Sequence, residues 1–98
     1  MVIGELDEVD YDLEVDGEQV REQLARKVWE RAGWATVAIA FRERASDGSW
    51  KPTRLAVLRF RRVRDAWQRQ AAITLPASDA VALIDALADW RGMFDPAD

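Results

Sequence analysis

From Trp34 to Arg44 every second residue falls on the same side: Ala35, Val37, Ile39 and Phe41 on one face, Trp34, Thr36, Ala38, Ala40, Arg42 and Arg44 on the other. A period of two predicts a β-strand. The turn residues Ala45-Ser46-Asp47-Gly48-Ser49, with an Asp-Gly pair suited to positive φ, then reverse the chain. A second strand from about Thr53 to Arg64 alternates Ala56, Leu58 and Phe60 with Leu55, Val57, Arg59, Arg61 and Val63. Arg64-Asp65-Ala66 supplies another turn, after which Trp67, Arg69, Ala71, Ile73 and Leu75 alternate with Gln68, Gln70, Ala72 and Thr74 as a third strand.

On either side of these strands the pattern changes. Residues 19–32, QVREQLARKVWERA, space Val20, Leu24 and Val28 for one helix face and for one strand face alike. The Gln, Arg, Lys and Glu content favours a helix, but Ala32-Gly33 directly before the strand at Trp34 favours a tight hairpin, so a strand is expected, with a helix as the alternative. After Leu75 the sequence PASDAVALIDALADWRG reads as an amphipathic helix opened by Pro76, with Ser78 and Asp79 in its first turn and Gly92 as a stop. Its apolar stripe is expected to pack on Ala35, Val37, Ile39, Phe41, Ala56, Leu58 and Phe60.

Charge divides the chain into three zones. Residues 1–18 carry eight acids and no base, residues 19–75 thirteen bases against five acids, and residues 76–98 one base against five acids, within a formal net charge of −4. The expected organisation is an acidic, flexible leader (1–18), a single domain (19–92) and a frayed tail (93–98). Eight like charges favour a solvated leader, although Val9, Tyr11, Leu13 and Val15 could pair it as an edge strand. The leader could also lie across the basic sheet as a competitor for a polyanion.

There is no cysteine and no histidine, which removes thiolate metal sites and the commonest general base and metal ligand. No apolar run approaches the roughly 20 residues that cross a bilayer, and no signal-peptide pattern opens the chain, so a cytoplasmic protein is expected with no membrane partner. Asp85 and Asp89 share one side of the last helix, but a solvated face explains them better than a metal. Nothing assembles an enzyme site: no catalytic residue, cofactor, metal or small-molecule substrate is expected.

What remains is the basic middle of the chain, whose asymmetry points to a polyanionic partner. Arg42, Arg44, Arg59 and Arg61 project with Trp34 from one face, while Trp50, Lys51 and Arg54 lie near the joining hairpin, and Gln68 and Gln70 can add neutral hydrogen bonds. Guanidinium groups along strands can follow phosphates, and exposed rings can stack unpaired bases. Individually, Trp34, Trp50 and Trp67 are better explained as core or dimer-interface aromatics, and strand arginines often only blunt edges or pair with acids. As a set they favour single-stranded DNA or RNA. The alternative is a protein-interaction or oligomerisation module whose arginine face receives an acidic partner, including the leader itself.

The order of a β-meander, a basic strand with Leu58-Arg59, then Ile73-Thr74-Leu75-Pro76 leading into a helix resembles the positive-cofactor-four transcriptional coactivator family and the related Whirly fold. The resemblance covers about Trp34 to Trp90, with Ala72 where a glycine commonly stands. It implies single-stranded DNA binding in replication, recombination or transcription, a strand path along Arg59, Arg61, Arg42 and Arg44, and a homodimer or higher assembly with Val81, Ile84, Leu87 and Trp90 in its core. The expected architecture is therefore α+β: an antiparallel curved β-meander of three to four strands, followed by a C-terminal helix packed on one face, in a dimer. Dimerisation has independent support in Leu55, Val57 and Val63, which one helix leaves poorly covered.

Overall fold

Tight turns with positive φ set the meander. Asp16-Gly17 (φ 53° and 79°) and Ala32-Gly33 (52° and 79°) are two-residue connections of the kind that match the twist of paired strands, and Arg64 (60°) sits in a third. The computed structural model describes residues 2–94. Its elements are β1 (Val2–Ile3), β2 (Leu13–Val15), β3 (Glu18–Arg31), β4 (Trp34–Glu43), β5 (Arg54–Val63), β6 (Ala66–Leu75) and α1 (Ala77–Trp90), with 3-10 turns at Leu6–Glu8 and Arg91–Met93. The strands form one curled antiparallel sheet in the order β1-β6-β5-β4-β3-β2.

The α+β class, the three central strands and the strand at 19–32 are as expected, but the sheet has six strands where three or four were expected. Both additions come from the acidic leader. It pairs with β6 through β1, crosses the sheet, and pairs with β3 through β2. On the way it buries Val9 against Ala35, Val37, Ile39, Phe41, Ala56, Leu58, Phe60 and Trp67, with Ile3, Leu6 and Tyr11 packed alongside. The expectation of a solvated leader is thus corrected, and its cause is visible. Arg26 donates to the backbone carbonyls of Asp7 (3.2 Å) and Val9 (2.9 Å), and Arg21 to that of Tyr11 (2.9 Å). These bonds hold the main chain, so Ile3, Leu6, Val9 and Tyr11 face the core while Leu13 and Val15 stay exposed.

The helix also departs from expectation. It buries none of its residues and meets the sheet mainly at one end of β5, on the opposite face from the core. The core face is already filled by the leader, and Pro76 alone links β6 to α1, which holds the helix beside Leu75. Between them lies a largely apolar groove of about 350 Å³ lined by Ala40, Thr53, Arg54, Leu55, Ala77, Ala80, Val81 and Ile84. Val81, Ile84, Leu87 and Trp90, expected in a dimer interface, are 43–64% exposed.

The regular alternation expected for the third strand is interrupted. Arg59 pairs with Ala71 but Phe60 with Arg69, so Gln70 is an extra residue in a β-bulge. Trp67 therefore turns to the core while Ala71, Ile73 and Leu75 face the other way, a split that a strict period of two cannot show. The tail expected at 93–98 falls mainly outside the described residues; Met93 closes the second 3-10 turn. Among the described residues no helix is long and apolar enough to cross a membrane.

Candidate nucleic-acid interface

Register turns the face away from the core into a grid, of which α1 flanks the end at Ala40 and Leu55 and leaves the Trp34 end open. The β3–β4 turn pairs Arg31 with Trp34 and Trp29 with Thr36; β5 then sets Arg61 opposite Trp34 and Arg59 opposite Thr36, and β6 sets Gln68 opposite Arg61. Two neighbouring rows result, Arg31–Trp34–Arg61–Gln68 and Trp29–Thr36–Arg59–Ala71. Farther along, Lys27, Ala38, Val57 and Ile73 form a third row, and Ala25, Ala40, Leu55 and Leu75 a fourth.

In the first two rows Trp34 carries two cations: the guanidinium carbons of Arg59 and Arg61 lie 4.9 and 5.4 Å from its ring centre. The Thr36 hydroxyl accepts a 2.8 Å bond from Arg59 Nη1 and fixes its orientation. Neither arginine forms an ion pair with a described carboxylate. Trp29 is 55% exposed beside them, and Trp29, Arg31, Ala32, Trp34, Thr36 and Arg59 line an open hollow of about 370 Å³. The arrangement offers cations for phosphate, with an indole plane next to them for a base.

The remaining expected residues form a different group at the far end of β4. Arg42 and Arg44 lie 4.2 and 4.1 Å from the ring centre of Trp50, which is held near them by the Arg44–Trp50 bridge. Here every guanidinium already has oxygen partners. Arg42 contacts Glu22 Oε1 at 2.7 Å, Arg44 donates to the carbonyls of Gln19 (2.9 Å) and Gly48 (2.8 Å) with Glu18 at 3.7 Å, and Arg54 reaches Glu43 at 3.1 Å. Lys51 is exposed at the β4–β5 connection, and Gln70, the bulge residue, bonds loosely to Gln68. The structure thus brings together Trp34, Arg59, Arg61 and Gln68, sets Arg42, Arg44 and Trp50 apart as a clamp on the β4–β5 loop, and places Arg54 on the core face opposite Phe41, paired with Glu43.

Three residues near the first cluster were missed from sequence: Lys27, Trp29 and Arg31. Their spacing of two was visible, and once 19–32 is a strand, the Ala32-Gly33 turn requires Arg31 to face Trp34. The acidic leader lies on the opposite face of the sheet, across the core. Among the described residues no three His, Cys, Asp or Glu side chains gather as metal ligands.

Comparison with family models, curated proteins and solved structures gives no match. The resemblance to the positive-cofactor-four family therefore rests on Leu58-Arg59 and Ile73-Thr74-Leu75-Pro76 alone.

Proposed function

We propose that the protein is a non-enzymatic binder of single-stranded nucleic acid, acting through the cluster around Trp34. The observation that carries this reading is the seating of two guanidinium groups without carboxylate partners on one indole, next to a second, exposed indole. A ligand that meets both needs is a phosphate chain with unpaired bases. The one long helix carries Asp79, Asp85 and Asp89 and has no basic face to read a duplex groove. Fluorescence anisotropy with labelled oligothymidine across a salt series tests the reading. With Arg59 and Arg61 each meeting one phosphate, log affinity should fall against log salt with a slope of about −1.4. No binding at about 50 mM salt would remove the proposal.

The working form in this reading is a homodimer, because Val81, Ile84, Leu87 and Trp90 form an exposed stripe beside an apolar groove. A second copy fits because a helix stripe can pair with itself about a two-fold axis. Sedimentation should give a dimer at micromolar concentration, and Ile84→Asp a folded monomer. A wild-type monomer would leave the helix to a different protein partner, which is the interaction-module reading.

A further inference from the structure

The spacing of cations on the open face bounds the length of strand each chain can hold, an inference that rests on reading this face as a nucleic-acid interface. The Trp34 cluster crosses the sheet from β3 to β6, about 14 Å at ordinary strand spacing. Along the strands it stops abruptly. The next two rows contain Ala38, Ala40, Leu55, Val57, Ile73 and Leu75, with Lys27 as their one charge, and apolar side chains give a phosphate no donor. When arginines resume on this face, at Arg42 and Arg44, their guanidinium groups are already engaged by Glu22 and Glu18, while Arg54, opposite Phe41, lies on the core face.

We propose that each chain takes one unpaired base against Trp29, in the hollow lined by Trp29, Trp34 and Arg59, and holds the flanking phosphates with Arg59 and Arg61. The segment engaged is then about two to four nucleotides, because a path of about 14 Å holds roughly four at a stacked strand's rise of about 3.4 Å and fewer when the strand is extended. The open hollow of about 370 Å³ beside Trp29 has room for a base. The indole of Trp34 is occupied by its two arginines, so Trp29 supplies the stacking plane and Trp34 positions the cations.

The test is a length series of oligothymidines from about 4 to 16 nucleotides, titrated against the full chain at constant low salt. Affinity corrected for the number of overlapping registers should level off by about four nucleotides. Trp29→Ala should weaken binding of the shortest oligonucleotide about 5- to 150-fold with an unchanged far-UV circular dichroism spectrum. Arg59→Gln provides a second variant if Trp29→Ala fails to fold, and should flatten the salt slope by about 0.7. Corrected affinity that keeps rising to sixteen nucleotides, or an Arg42→Gln variant that weakens the long oligonucleotide and spares the short one, overturns the short segment while leaving the interface in place. Failure of every length to bind overturns the interface as well.

Discussion

Trp34 and Trp50 stand near opposite ends of the same sheet and each carries two arginines, yet the two clusters do different work. The guanidinium carbons sit at similar distances from the rings, 4.9 and 5.4 Å at Trp34 against 4.2 and 4.1 Å at Trp50. What separates them is the company of oxygen. Around Trp50 the arginines also meet Glu22, Glu18 and two backbone carbonyls, so the cluster is internally neutralised and fastens the β4–β5 loop. Around Trp34, among the described residues, a threonine hydroxyl is the one oxygen bonded to Arg59, and positive charge is left at the surface. A basic residue count therefore says little about binding until each cation's partner is known.

The strongest attempt to break this contrast exchanges charges at both clusters. Arg59→Glu with Arg61→Glu should weaken oligothymidine binding on the order of 100-fold at low salt while the melting temperature stays nearly constant. Arg42→Glu with Arg44→Glu should do the reverse, costing about 2–3 kcal/mol in denaturant unfolding through lost ring contacts and ion pairs, with little change in affinity. Equal loss of affinity from both pairs would mean that the clusters are one site.

A comparable cost in stability is expected on the other face. Val9→Asp places a carboxylate among the core residues and should destabilise the protein by about 3 kcal/mol or more in urea unfolding. Oligonucleotide affinity should remain as before wherever the variant is folded, because the leader crosses the face away from Trp34. Tighter binding would show instead that the leader masks the interface.

Removing the acids at the second cluster sharpens the comparison at smaller scale. Glu18→Gln with Glu22→Gln should cost about 0.5–1 kcal/mol and steepen the salt dependence of binding by about 0.7 for each phosphate the freed arginines gain. An unchanged slope would place Arg42 and Arg44 out of reach of the strand whatever their charge state.

The smallest effect lies in the β4–β5 loop that the Trp50 cluster fastens. The Ser49 hydroxyl donates to Asp47 Oδ1 at 2.6 Å and the Ser49 amide adds a second bond, which together hold the Asp47 carboxyl below its ordinary value. A depressed carboxyl stabilises the folded state above its unfolded pKa, and that contribution is lost as pH falls through the folded value. Carbon-detected titration should find Asp47 ionising below a free aspartate, and Ser49→Ala should return it toward the ordinary range. An unshifted carboxyl would show that the turn bonds are not formed in solution.

The local code of this chain is clear. Alternation at Trp34–Glu43 and Arg54–Val63, the Ala32-Gly33 turn and the amphipathic stretch after Pro76 each name their element, because period and turn chemistry act over a few residues. That same local information placed Trp34, Arg59 and Arg61 on one face. Two decisions were made only by the assembled fold. The leader reads as eight carboxylates in water until Arg21 and Arg26, far along the chain, seize its backbone carbonyls and let Val9 fill the core. Likewise, the division of the arginines into bound and available ones depends on β3 running beside β4, which sets Glu22 opposite Arg42 and Trp29 opposite Thr36. Periodicity assigns a residue to a face, but pairing partners come from strand order, register and bulges, and those are fixed by which long-range contacts bury the most apolar surface without burying an unpaired charge.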